Sequence, residues 1–251
     1  MDNRAWGQGR FCTLAIASLL MAGIACSGPK VTTQTSKELP RYQIRTLALM
    51  PFTSLGTPQV RDPADMYMSA PQSVKGSDIS LGVPTGVESQ LKQTITVPAY
   101  AAEKLTQLFW TRLKNRPGVL VLPPTQVVAA KVAIQPVEGT TKATPERQAA
   151  DLAAKLKADA VLMGQVLVYQ ERSGGKLGAS PPATVGFEVK VVAADGQLLW
   201  VGNYYEQQKP LTQDFLGFVQ HGGVFVTAEE LAQYGADQVL KTFPFGSHEG
   251  E

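Results

Sequence analysis

Apolar residues recur at helical spacing in four stretches of the chain and alternate in its later part. Ala102, Leu105, Phe109 and Leu113 follow Pro98 at intervals of three and four, with Leu108 beside them, and predict a helix that closes at Arg116-Pro117-Gly118. Pro123-Pro124-Thr125 starts a short helix reaching about Val132. Ala149, Leu152, Ala153 and Leu156 form the apolar face of a third, with Thr144 as N-cap, Pro145 and Glu146 in its first turn, and Lys157-Ala158-Asp159 at its close. Thr227-Ala228-Glu229-Glu230 is a capping box opening a fourth, which carries Leu231, Gly235 and Val239 and ends at Phe243-Pro244. Strands are predicted between them. Tyr42 to Phe52 has Ile44, Leu47, Leu49 and Phe52 apolar, and Val119-Leu120-Val121-Leu122 is a continuous run of the kind buried on both faces. A long strand covers Ala160 to Tyr169. Val185, Phe187, Val189 and Val191 alternate with Gly186, Glu188 and Lys190, and Asp195-Gly196 reads as a type I′ hairpin turn into a partner strand with Leu198, Trp200 and Tyr204. Trp200 and Tyr204 share a face and are assigned to the core, whereas Tyr205 faces the other way and is a candidate partner contact.

This order implies an α/β fold: a mixed sheet of about five strands with helices packed on it. Helices separate the first three strands, which favours parallel pairing through right-handed crossovers, and the last two form an antiparallel hairpin. A single domain is expected over residues 42–245, with a frayed tail at 246–251. It is interrupted by a long irregular insertion at 53–97, rich in Gly and Pro. Within that insertion Met66, Tyr67 and Met68 stand out, as a local core beneath the loop or as a partner contact. Residues 171–182, ERSGGKLGASPP, have loop composition.

The N-terminus follows other rules. Arg4 and Arg10 precede FCTLAIASLLMAGIA, a stretch of 15 uncharged residues at 11–25, too short to span a bilayer and of the length of a signal-peptide core. Its end, Ala22-Gly23-Ile24-Ala25-Cys26, resembles a bacterial lipoprotein signal, although Gly23 stands where Leu is usual. The resemblance implies removal of residues 1–25 and lipidation of Cys26, with several acyl chains, palmitate among them, giving stable anchoring. Ser27 in place of Asp then implies sorting to the outer membrane. Residues 27–41, SGPKVTTQTSKELPR, are polar and are expected to be a flexible tether.

Composition narrows the functional classes. The formal net charge of +2 in 251 residues lacks the basic excess of a nucleic-acid binder. Two His and two Cys are a thin inventory for a metal site or for His-dependent catalysis, and cleavage would remove Cys12 while acylation occupied Cys26. No phosphate-binding glycine loop or nucleophile elbow occurs, and Gly174-Gly175 is turn chemistry. His221 and His248 read as solvent-exposed loop residues, and Glu171, Arg172 and Asp195 as strand-end and turn residues. No catalytic residue, cofactor or metal is expected.

Three segments carry a family resemblance: RTLALMPF at 45–52, LKADAVLMGQV at 156–166 and VGFEVKVVAADGQLLWVGNY at 185–204. In this order they resemble the periplasmic lipoproteins that share the α/β fold of the TolB amino-terminal domain. That group includes the curli secretion channel lipoprotein and the lipoprotein activators of peptidoglycan synthases. Lys157 stands where the group's Gly-Ala-Asp motif has Gly. The resemblance implies a non-catalytic, outer-membrane lipoprotein whose periplasm-facing domain is an accessory or assembly factor of an envelope complex. Its partners would be the membrane, through the N-terminal lipid, and an envelope protein. The alternative it leaves is an oligomeric secretion or transport component of the curli-channel type. A pore is not expected, because neither 53–97 nor 171–184 supplies the alternating segments of a membrane-crossing hairpin.

Overall fold

Leu47, Ala48 and Leu49 are all fully buried, so the first predicted strand is covered on both faces and the sheet is built outward from it. The structure, a computed structural model, describes residues 30–56, 59–60, 94–132 and 144–246. Eleven strands lie among them: β1 (Val31–Thr35), β2 (Thr46–Leu49), β3 (Thr53–Ser54), β4 (Gln59–Val60), β5 (Thr94–Ile95), β6 (Leu120–Leu122), β7 (Ala160–Gln170), β8 (Gly174–Gly175), β9 (Gly178–Ala179), β10 (Thr184–Ala193) and β11 (Leu198–Gln207). The helices are α1 (Ala99–Leu113), α2 (Pro124–Val132), α3 (Pro145–Leu156), α4 (Phe215–Gln220) and α5 (Ala228–Leu240), with a short 3-10 turn at Leu39–Arg41. The main sheet has seven strands in the order β1-β11-β10-β7-β2-β6, with β3 also paired to β7. β2 is parallel to β6 and β7, and β10 is antiparallel to β7 and β11. The expected mixed sheet is therefore present, and β1 and β3 are additions to the five predicted strands.

The chain moves outward from β2 to β6, then back past β2 to β7. Reversing direction with right-handed crossovers places the connecting helices on opposite faces. Accordingly α1 packs, with α5, on the face of Leu47, Leu49, Leu162, Phe187, Trp200 and Tyr204. α2 and α3 cover the other face at Ala48, Val161 and Val192. The three longest helices bury most of the stripe their spacing predicts: Leu105, Phe109 and Leu113 on α1, where Ala101 is buried and Ala102 only partly so; Ala149, Leu152 and Ala153 on α3, with Leu156 partly buried; Leu231, Gly235 and Val239 on α5. Gly235 lets α5 approach β11 closely, since a Cβ there would enter the Tyr204 ring. The caps also hold. Thr144 accepts from the Arg147 N–H, and Thr227 and Glu230 form the reciprocal capping box.

Four expectations are corrected. Residues 27–41 are not a tether throughout: Val31 to Thr35 form the edge strand β1, antiparallel to β11 in the register Val31↔Tyr204 to Thr35↔Trp200. Its side chains are largely exposed, so backbone pairing holds it and no hydrophobic alternation marks it. Val119–Leu122 is not buried on both faces. β6 is the opposite edge strand, and Leu120 is 64% exposed. Asp195-Gly196 is not a type I′ turn, which needs positive φ at both central residues. Among the described residues Lys157 is the only non-glycine with positive φ, whereas Gly196 has φ +94°. The Gly196 N–H donates to the Ala193 carbonyl and the Ala193 N–H to the Gln197 carbonyl, giving a three-residue loop with glycine in the left-handed position. His221 is not exposed, as described below. Cys26, Met66, Tyr67, Met68 and His248 lie outside the described residues.

The departure at Lys157 has a structural meaning. This residue ends α3 in the left-handed conformation, φ 54° and ψ 37°, where glycine avoids the Cβ penalty. Two residues on, the Asp159 Oδ2 accepts from the backbone N–H groups of Arg45 (2.9 Å) and Thr46 (2.8 Å) and fastens the entry of β2 to that of β7. The Lys157 side chain is exposed and loses little by removal. Lys157→Gly is expected to raise stability by about 0.5–1 kcal/mol, the left-handed penalty of about 1–2 kcal/mol less the extra chain entropy Gly loses on folding, read as an upward shift of the urea midpoint at unchanged slope.

Candidate functional site

Glu206 occupies a core-facing position of β11, two residues beyond Tyr204 on the same face, and is 4% exposed. A carboxylate buried there needs partners, because an unpaired buried charge is strongly unfavourable. It has three. The Lys30 Nζ lies 2.9 Å from Oε1, the His221 Nε2 lies 2.7 Å from the same oxygen, and the Tyr204 hydroxyl donates to Oε2 at 2.7 Å. Burial pushes the Glu206 carboxyl up, but the hydrogen bonds from His221, Lys30 and Tyr204 outweigh it and hold it below the usual carboxylate range. The Tyr204 hydroxyl is driven above its ordinary value by burial and by the neighbouring carboxylate.

Each partner arrives from a different part of the chain. Lys30 immediately precedes β1, and its carbonyl accepts from the Tyr205 N–H at 3.0 Å. His221 ends α4, a short helix whose N-cap Asp214 accepts from the Gly217 N–H at 2.8 Å. Beyond it Gly222 and Gly223 both take left-handed φ, +73° and +72°, and turn the chain back toward the sheet. That turn swings the His221 ring inward, 5% exposed, edge-on to Tyr234 of α5 at 5.0 Å. Gln220 closes the outer rim: its Oε1 accepts from the Lys30 Nζ at 3.1 Å and its amide nitrogen donates to the Tyr234 hydroxyl. The buried Gln208 pins the return segment, accepting from the Val226 N–H at 2.9 Å and donating to the Val224 carbonyl at 2.6 Å. Both Glu206 oxygens are thus committed to internal donors, and the cluster is a latch. It ties the start of β1, the end of β11, α4 and α5 together where the chain arrives from Cys26.

The elements leaving this end of the sheet carry an apolar surface. Phe215, Leu216 and Val219 lie on one side of α4 and are 62%, 65% and 50% exposed. Phe218 turns inward, edge-on to Phe225 at 5.4 Å, and the Phe225 N–H donates to the Lys176 carbonyl in the β8–β9 hairpin. Leu177, the next residue in that hairpin, is 91% exposed. Elsewhere, a groove of about 310 Å³ between α1 and α5 is bordered by Lys104 and Arg112. These pair with Glu229 (2.5 Å) and Asp237 (2.7 Å) across the two helices. A wider groove of about 820 Å³ runs along Pro51, Phe52, Trp110, Pro123 and Val128.

Of the residues singled out in the sequence, Tyr205 is exposed and lies on the sheet face opposite Tyr204, its ring over Gly186. Trp200 and Tyr204 are core, as expected. Asp195 is a turn residue whose Oδ2 accepts from the Tyr42 hydroxyl at 2.7 Å, and Glu171 accepts from the Ala228 N–H at the start of α5. His221, which reads in the sequence as an exposed loop residue, is instead buried against Glu206 because the Gly222-Gly223 turn folds α4 back onto the sheet. Glu206 had a legible signal, a charged residue at an inward position of an alternating strand. Lys30, which pairs with it across 176 positions, had none.

No protein-family model and no curated protein sequence matches the chain. Solved structures are similar to it. The PelC dodecamer from Paraburkholderia phytofirmans is 11% identical with a TM-score of 0.37, covering 84% of this chain and 93% of that one. The LpoB C-terminal domain from Escherichia coli is 11% identical, TM-score 0.34, covering 77% and 94%. Lipoprotein GNA1162 from Neisseria meningitidis is 14% identical, TM-score 0.32, covering 70% and 91%. Each of these likenesses is one of fold alone.

Proposed function

We propose that this chain is a non-catalytic lipoprotein, anchored through acylated Cys26 to the outer membrane, whose periplasm-facing domain serves as an accessory or assembly factor of a cell-envelope complex. The observation that carries the reading is the spacing at the N-terminus. An uncharged 15-residue stretch ends at Ala25, Cys26 follows it, and Lys30, four residues later, is already bonded into the sheet domain. Only Ser27, Gly28 and Pro29 separate the proposed acylation site from Lys30. The latch at Lys30, Glu206 and His221 suits this arrangement, because it fastens a residue four positions after Cys26 to the sheet, where any pull on the anchor would act.

Cys26→Ala is expected to abolish palmitate incorporation and to keep the residues before position 26 attached, since the lipoprotein route needs the thiol. Radiolabelling and intact mass of the membrane fraction check this. An unmodified thiol at position 26 in the native protein would end the reading. The envelope partner is sought by crosslinking in native membranes followed by mass spectrometry, and a return of no envelope protein would count against the accessory role.

A second reading, the oligomeric secretion or transport component, is favoured by one observation. Leu120 on the open edge strand β6 and Val128 and Val132 on the adjoining α2 are exposed together. Sizing of the detergent-extracted protein separates the two: a ring elutes far above the monomer mass.

A further inference from the structure

We infer that α4 and the β8–β9 hairpin form a membrane-contacting foot, which seats the domain on the leaflet that holds the acyl chains of Cys26. This rests on the anchor proposed above. Three independent observations support it.

The first is where the apolar residues are. Leu177, Leu211, Phe215, Leu216 and Val219 are each 47% exposed or more. All five sit in the two connections 171–183 and 208–227 that leave one end of the sheet, the end formed by the C-termini of β7 and β11 and the N-termini of β10 and β1. Phe215, Leu216 and Val219 stand one and four residues apart, on one side of their helix. Exposed apolar surface gathered in this way marks a contact, whereas scattered single residues would not.

The second is chain length. Four residue steps separate Cys26 from Lys30, which reach at most about 14 Å when fully extended. Lys30 is bonded to Gln220 of α4 and, through Glu206, to His221. The anchor therefore enters beside the foot, and a tether this short holds that end of the domain against the bilayer surface.

The third is charge. Lys176 and Lys209 are exposed and flank Leu177 and Leu211 in sequence. The carboxylates of the same connections are engaged internally: Glu171 accepts from the Ala228 N–H and Asp214 from the Gly217 N–H. Apolar side chains with lysines beside them suit the boundary of headgroups and acyl chains, where the stems lie in the apolar layer and the ammonium groups reach the phosphates.

The test uses the mature, acylated protein in vesicles of phosphatidylethanolamine and phosphatidylglycerol, with Leu216→Trp as reporter and lipids brominated on their acyl chains as quenchers. Flotation reports the anchor, and quenching reports the foot. The expected result is that the protein floats and the Leu216→Trp variant loses most of its added emission, while the native Trp110 and Trp200 are barely quenched. In the Phe215→Ser, Leu216→Ser, Val219→Ser variant the protein should still float. Amide exchange over 211–220, slowed by vesicles in the parent, should then become the same with and without them. Flotation without quenching overturns the foot and leaves the anchor standing. Protection of 211–220 that appears only in native membranes assigns the surface to a protein partner and overturns it too. Failure to float overturns anchor and foot together.

Discussion

Glu206→Ala is expected to destabilise the fold by about 3–5 kcal/mol, because it leaves the Lys30 ammonium and His221 beside an unfilled, buried site with no counter-charge. The carboxylate is nearly inaccessible, with a side-chain exposure of 3%, and that of Lys30 is only 20%, so solvent does little to screen the loss. The same group sets a pH dependence whose direction follows from its depressed pKa. The unfolded value is about 4.3, and the folded value lies below it. Its stabilisation is therefore complete above the unfolded value and is lost as pH falls through the folded one. Urea titrations from neutral to acid pH should show the parent losing stability at the acid end. Glu206→Gln should start lower and decline less steeply. Parallel curves for the two proteins would contradict a charged latch.

Phe187→Ala is expected to cost a similar amount, about 3–5 kcal/mol, through loss of buried area and the cavity left behind. The ring is fully buried at the centre of the sheet, 5.7 Å from Phe109 of α1 and 5.4 Å from Tyr204. It thus joins the helix layer to the residue whose hydroxyl supports Glu206. Two consequences separate this role from generic packing. Phe187→Leu should recover a good part of the loss, since most of the volume returns. The double variant with Glu206→Ala should be less destabilised than the sum of the singles, because Tyr204 is a shared neighbour of both sites. Chemical denaturation of the four proteins closes this cycle, and strict additivity would show that the ring and the latch are independent.

The parts of the fold that were readable share a cause. The stripe of α1, the capped start of α3, the capping box of α5 and the alternation in β10 are all written in residues near one another in the chain. Helix faces, caps and strand alternation are local physics. The errors also share a cause. β1 reads as tether in the sequence because its side chains, VTTQT, bury almost nothing, and its pairing with β11 spans about 170 positions that no window can see. β6 looked like a doubly buried strand because its composition does not reveal that it lies at an edge. The Asp195-Gly196 hairpin departs from the two-residue type because a register shift between Val191 and Val192 lengthens the loop by one residue.

By itself the sequence determined that an uncharged stretch of 15 residues at 11–25 precedes Cys26, that four amphipathic helices alternate with apolar strands, and that the strands join in a mixed sheet. Each of these depends on spacing along the chain. Only the tertiary structure decided that Val31 to Thr35 pair with β11, that His221 is buried against Glu206, and that the exposed apolar side chains of α4 and the β8–β9 hairpin lie at the same end of the sheet as Lys30. Those facts depend on which distant segments meet, and a meeting across 176 positions is set by the closure of the whole sheet.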